Sequence, residues 1–303
     1  MTKKDEPKAR QISDSLAHFS QNIEELPGIE NDLMRYTLAC QIVDSVKRVE
    51  YIKVISSRNS SPADVNSSAF DPLKLAVTFK NNDQIDEAIW LIFLAIHFGK
   101  HKKKNWALAR TLYGGINGSK VWTWENVSRN LPEFLEWYNS NLAYLQMAGS
   151  FSNHRSRESL KRTDTYSRYI RWVLEQENHL QKFDYLTTNS SIRPEKKFEI
   201  IYNSMDIIPR FGRLARFDYL CMIGKMGIYD VTPGKIYIAE STGPKKGARV
   251  LMKDEKKVIK NKEYEAILEK LDNFLGYDFG MQILEDALCN WQKSPTVYKQ
   301  FIG

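Results

Sequence analysis

The sequence predicts an all-α fold. Three observations carry that prediction. Apolar residues recur at helical spacing over long stretches with few breakers, turn-forming residues cluster between those stretches, and no strand patterns alternate with helices as a parallel sheet requires. The chain has 303 residues, enough to bury a core without a metal or disulfide staple, which suggests two domains or one large one. Hydrophobic residues at 42% and charged residues at 27% exclude disorder of the whole chain.

Taken in order, residues 10–26 and 31–56 read as long helices. Leu33, Leu38, Ile42, Val43 and Val46 form the apolar stripe of the second. Between them, LPGIE (26–30) matches part of the Leu-x-Gly-x-Gly turn of helix-hairpin-helix motifs, with Glu30 where the second glycine would stand. The polar stretch 57–68 is a loop. It either separates an N-terminal helical region, 1–70, from a main helical domain, 71–303, or lies within one continuous domain. Asn82 opens a helix with an acidic first turn that is apolar nearly all round and ends at Gly99, so it should run through the core. Another helix starts near Trp106 and stops at Gly114–Gly115. Asn130 and Glu133 look like a capping pair for a helix ending near Met147. Residues 148–163 are polar, basic and loop-like, and 165–182 form an amphipathic helix. Two helical stretches over 195–222 break at Pro209 and Gly212. A turn-rich segment at 230–247 allows at most a short hairpin near 235–251, and helices at 261–275 and 279–292 close the chain.

Formal net charge is +7 with a pI near 9.1. This suits a nucleic-acid partner, because Lys and Arg neutralise phosphates, and equally suits a merely basic surface. The longest apolar run, Ala88 to Ile96, is far short of the about 20 residues that cross a membrane. MTKKDEPKAR lacks the apolar core of a secretory signal. Cys40, Cys221 and Cys289 lie far apart without CxxC spacing, so neither a disulfide framework nor a zinc site is expected. A reducing, cytoplasmic setting follows. GxGxxG, GxxxxGK[ST] and HExxH are absent. GGINGSK (114–120) has the wrong spacing for a phosphate loop and reads as a helix end. No cofactor and no metal are expected. His97 and His101, one helical turn apart, suit a polar contact at a helix end better than a metal.

Three segments carry side chains with chemistry. In FSNHRSRESLKR (151–162), Asn153 and His154 can hold a base, Arg155 can grip a phosphate, and Glu158 can exchange a proton, although a solvated basic loop has the same composition. In RFGRLARFDYL (210–220), a helix would line Arg210, Arg213 and Arg216 along one slanting face, with Asp218 pointing elsewhere. That is either a phosphate stripe with a nearby catalytic carboxylate or a local ion-pair cluster. In LEDALCNWQKS (284–294), Asp286 and Asn290 share a face, with Trp291 available for stacking and Lys293 for phosphate, although the helix could equally pack its Leu and Trp into a core. Lys100, Lys245 and Lys246 are further cations for DNA.

Six segments, in this order and spacing, resemble the alpha-glutamyl/putrescinyl thymine pyrophosphorylase family, clade 3. They are DEAIWLIFLAIHFGKH (86–101), WTWENV (122–127), SNHRSRESL (152–160), RFGRLARFDYLCMIGKMGI (210–228), TGPKKGAR (242–249) and LEDALCNWQKSP (284–295). In the loop, Ser152 stands for the family's Gly and Ser156–Arg157 for its Lys-Tyr, which removes a tyrosine. The resemblance implies a helical fold like that of helix-hairpin-helix DNA glycosylases, with a basic DNA-binding cleft, acting on hypermodified pyrimidines in double-stranded phage DNA. Excision of such a base by a monomeric glycosylase, in defence against phage, is the preferred expectation. Asp218 would be its catalytic carboxylate, with Asp286 and Glu158 in reserve. The alternatives are an enzyme that joins an amine to a diphosphate-activated hydroxymethyl-thymine in DNA, and a non-catalytic sensor of modified DNA.

Overall fold

A computed structural model describes residues 1–57, 65, 67, 69–116, 120–152, 158–188 and 192–300. Among them the chain forms fifteen α-helices and no strand, so the fold is all-α. Packing divides the chain into two units, residues 1–53 with 232–303, and residues 54–231.

The first unit is closed by both chain ends. Helix α1 (Glu6–Asn22) buries Ala9, Ile12, Leu16 and Phe19, a stripe at three- and four-residue steps. Helix α2 (Asp32–Ser56) adds Ile42, Val43 and Val46 to the same core, and Leu284, Leu288 and Trp291 of the C-terminal part complete it. The N-terminal helices therefore share a core with the C-terminal ones, in place of a separate region over 1–70. The LPGIE turn is a short 3-10 turn over Pro27–Ile29. A Cβ on Gly28 would lie 2.0 Å from the Val250 carbonyl oxygen, so the glycine serves a close backbone contact.

The hairpin allowed near 235–251 does not form. Ile238–Glu240 is a 3-10 turn and α13 (Gly243–Leu251) is a helix with proline in its first turn. The Glu265 carboxylate, on α14 (Asn261–Leu275), accepts from the amides of Ile236 and Ile238 at 3.1 and 2.6 Å. One side chain thus satisfies the donors that a partner strand would otherwise take. Helix α13 packs on α15 (Gly280–Trp291) through Gly243 and Gly247, where added Cβ atoms would lie 2.4 Å from Cys289 Sγ and from the Leu288 carbonyl oxygen.

The second unit surrounds α4 (Ile85–Phe98), in which every side chain from Ala88 to Leu94 is fully buried. Helices α3 (Pro72–Asn81) and α12 (Arg213–Lys225) lie along it. Asp71 caps α3 by accepting from the amides of Leu73 and Lys74, and Gly99, at φ +64°, ends α4. Helix α5 (Ala107–Gly114) and the short α6 (Trp124–Arg129) follow. The helix expected to run to Met147 is two, α7 (Leu131–Ser140) and α8 (Leu142–Ala148). The break falls at Asn141, whose amide side chain bonds back to the Trp137 carbonyl at 2.8 Å. The expected Asn130–Glu133 cap is present: Asn130 Oδ1 accepts from the Glu133 amide at 3.3 Å, and the Asn130 side-chain amide donates to the Glu133 carboxylate at 2.9 Å. The helix expected over 165–182 is likewise two, α9 (Asp164–Val173) and α10 (His179–Leu186), because Asn178 caps a new start by accepting from the Gln181 amide. Helix α11 (Pro194–Ser204) precedes α12. No helix among the described residues is long and apolar enough to cross a membrane.

The α13–α15 contact gives a stability test. Gly247→Ala should destabilise the protein by about 1–3 kcal/mol, since the added methyl meets backbone that cannot yield. Lys246→Ala on the exposed side of α13 should change stability by less than about 0.5 kcal/mol. Denaturant unfolding of both variants measures the difference.

Candidate functional site

The end of α4 organises the first part of the site, in the second unit. The Ser152 amide donates to the Phe98 carbonyl at 2.9 Å, which ties the segment after α8 to the last residue of α4. The Tyr138 hydroxyl holds the far end of that segment through the Leu160 carbonyl, also at 2.9 Å. Thr165 Oγ1 donates to the Pro209 carbonyl at 2.9 Å and draws the turn before α12 to the same place. The two segments singled out in the sequence meet here. Glu158, 15% exposed, sets its carboxylate 3.6 Å from the Arg210 guanidinium, and Arg210 stands in the left-handed region at φ +58°. An aromatic cluster fills this end of α4. His97 stacks on Phe93 and receives the edges of Phe151 and Tyr166, and Phe211 packs on Phe93. His97 thus makes ring contacts at the helix end. Asn153, His154 and Arg155 lie outside the described residues.

The expected arginine stripe does not form. Arg210 precedes the helix, which begins at Arg213. Arg216 is buried. Its guanidinium lies 3.0 Å from the Asp206 carboxylate, donates to the Tyr202 carbonyl and sits 4.4 Å from the centre of the Tyr202 ring, so it binds the preceding chain to α12 and offers no face to a phosphate. Arg213 is half-buried, its guanidinium 5.0 Å over the Phe217 ring, and Asp218 is half-buried on the same helix. Lys100 is exposed, above the Trp106 ring.

A second, buried constellation spans the other end of α4. Asp86, in the first turn, accepts from the His179 amide at 2.9 Å and pairs with His179 Nδ1 at 2.5 Å. His179 Nε2 meets the Tyr169 hydroxyl at 2.8 Å, and that hydroxyl meets the Tyr219 hydroxyl at 3.0 Å. His179, Tyr169 and Tyr219 are fully buried, whereas the Asp86 side chain is 34% exposed. Burial alone would raise the Asp86 carboxyl, and the side-chain and backbone hydrogen bonds of His179 hold it below its ordinary value instead. Burial lowers His179 against the pull of Asp86. An ionised carboxylate only accepts, so Nδ1 carries the proton and Nε2 accepts from Tyr169. Tyr169 then accepts from Tyr219. The result is a directed chain of hydrogen bonds from α12 to a carboxylate that reaches the surface. Sequence reasoning missed His179 and did not single out Asp86. Asp86 is marked by the acidic helix start and His179 by the Asn178 cap beside it, but nothing in one sequence pairs residues so far apart.

The remaining expected residues belong to the first unit. Asp286 pairs with Arg48 at 3.3 Å, both half-exposed. Lys293 donates to the Asn290 side chain at 3.1 Å. Trp291 is fully buried, and its indole N–H points at the carbonyls of Met34 and Pro295, at 3.0 and 3.2 Å, so it is a core anchor with no face free to stack on a base. Lys246 is exposed and Lys245 half-buried on α13. Among the described residues, no three His, Cys, Asp or Glu side chains group as a metal site requires.

Glu87, next to Asp86, gives a pH test. It is buried, accepts from the Trp124 amide at 2.7 Å and faces the Tyr113 hydroxyl. Burial, against those hydrogen bonds, pushes its carboxyl up to about 6 from an ordinary 4.5. A raised folded-state value means that the protonated form favours folding. That contribution is complete below pH 4.5 and is lost as pH rises through about 6. Glu87→Gln should therefore be more stable than the parent at pH 8, by on the order of 2 kcal/mol, and the difference should close in acid. Denaturant unfolding at both pH values measures it.

No curated protein and no solved structure gives a match to this chain. One family model does, that of the alpha-glutamyl/putrescinyl thymine pyrophosphorylases, clade 3, over residues 33–303. The match takes in every segment described above: the two ends of α4, the meeting of Glu158 with Arg210, α12, and the α13–α15 pair. The chain belongs to the alpha-glutamyl/putrescinyl thymine pyrophosphorylase family, clade 3.

Proposed function

We propose that this protein is an enzyme that modifies thymine-derived bases in DNA by joining an amine or amino acid to a diphosphate-activated hydroxymethyl group. The family match over 33–303 carries this reading, since the family is named for pyrophosphorylase chemistry on glutamyl and putrescinyl thymine. It favours joining over the base excision that was the preferred expectation.

The reaction is a substitution at the exocyclic carbon of the base. The amine nitrogen forms a C–N bond, the C–O bond to the diphosphate breaks, and the diphosphate leaves with the electron pair. The nitrogen gives up a proton to a base. Such a reaction needs a cation for the diphosphate and a carboxylate for the ammonium and its proton. Arg210 and Glu158, 3.6 Å apart on adjoining segments, supply one of each. The target base has to leave the stack to reach them. Arg155, Arg213, Lys100, Lys245, Lys246 and Lys293 are the cations we assign to the DNA backbone, and Asn153 and His154 the groups we assign to the extruded base. Asp218 and Asp286 are the carboxylates on which an excision mechanism would rest.

The test is incubation with duplex DNA carrying the diphosphate-activated base, together with putrescine or glutamate, followed by mass spectrometry of nucleosides and free bases. Joining yields an amine-bearing nucleoside and one diphosphate per base. Glu158→Gln should slow it by about 10²–10⁴-fold and Arg210→Ala by a similar factor, with DNA binding kept. Release of a free base and an abasic site, abolished by Asp218→Asn, would overturn joining in favour of excision. Tight binding with no product would leave the sensor.

A further inference from the structure

Beyond that reaction, we infer that the second unit carries a separate phosphate-binding pocket at the start of α5. A cavity of about 210 Å³ is lined there by Lys103, Lys104 and Arg110 together with Phe70, Asn105 and Trp106. Three cationic residues line one cavity, and none of them pairs with a carboxylate among the described residues. Like charges gathered without a counter-charge raise the energy of the empty site, and an anion entering it relieves that repulsion.

The site is also built. The loop carrying the lysines closes on itself through paired backbone hydrogen bonds between His101 and Asn105, at 2.9 and 2.8 Å. His101 Nδ1 accepts from the amides of Lys103 and Lys104, at 3.2 and 3.1 Å. Asn105 takes the left-handed conformation at φ +48°, which the tight turn into α5 requires. Arg110 is steadied by one bond to the Ser67 carbonyl at 3.3 Å, leaving other guanidinium N–H groups for a ligand. Lys104 donates to the Met147 carbonyl at 3.4 Å, and Lys103 is exposed. Phe70 and Trp106 complete the lining of the cavity. The ligand class is a phosphate group, either free diphosphate or a phosphodiester of the DNA backbone.

Binding alone tests the pocket, so its failure is distinct from failure of the proposed reaction. Calorimetric titration with inorganic diphosphate and anisotropy of a labelled duplex across a salt series are measured on the full chain, on Lys103→Ala and on Arg110→Ala. Loss of diphosphate affinity by about tenfold or more in each variant, with an unchanged DNA salt slope, identifies free diphosphate as the ligand. A DNA salt slope reduced by about one per cation removed, without diphosphate binding, identifies the backbone. Variants that bind both probes as the parent does overturn the pocket. Lys103 is exposed and its side chain makes no hydrogen bond or ion pair among the described residues, so its variant carries the test if Arg110→Ala fails to fold.

Discussion

The second unit depends on a helix with no polar face. Every side chain from Ala88 to Leu94 is removed from water, so α4 is stable only when other helices enclose it on all sides. Helices α3, α5, α6, α10 and α12 do so. Burying those side chains yields on the order of 2 kcal/mol each, and none of that is available to an isolated helix. The constraint also dictates where chemistry can lie. A polar group in the middle of α4 would be stranded, so the ionisable residues are confined to its ends: Asp86 and Glu87 in the first turn, His97 in the last.

Each end has recruited partners from distant parts of the chain. At the N-terminus, Asp86 takes both the ring and the amide of His179, while Glu87 takes the amide that opens α6. At the C-terminus, the Phe98 carbonyl fixes the segment that leads to Glu158. The stack of Phe93 on Tyr169, with ring centres 3.8 Å apart, lies between the two ends and shares a residue with each constellation. Helix α12 also serves both, with Arg210 and Phe211 in the turn before it and Tyr219 at the end of the buried chain. A change in how α12 seats on α4 would therefore disturb both constellations together.

Charge is used in two different ways. The basic composition suggests a surface for phosphates, and Lys100, Lys103 and Lys246 do face solvent. Arg216 shows the other use. Its guanidinium is spent inside the protein on Asp206, the Tyr202 carbonyl and the Tyr202 ring. Arginine suits both settings because its planar group satisfies several acceptors and an aromatic face at once, so sequence alone does not separate a phosphate ligand from a structural tie.

Helical class, most helix positions and the family were legible in the amino-acid sequence. Helical periodicity, caps such as Asn130 and stops such as Gly99 are local properties, written within a few residues of where they act. The sequence also marked Glu158 and the 210–220 segment as chemistry-bearing. What it could not supply were the long-range facts. Whether Trp291 faces a base or a core, whether Arg216 is exposed, and whether residues 235–251 find a partner strand or a Glu265 carboxylate all turn on side chains far away in the chain. The pairing of Asp86 with His179, and the joining of both chain ends in one core, were decided only when α4 and α15 were enclosed. Burial, which fixes each of these outcomes, is a property of the packed chain and of no single segment.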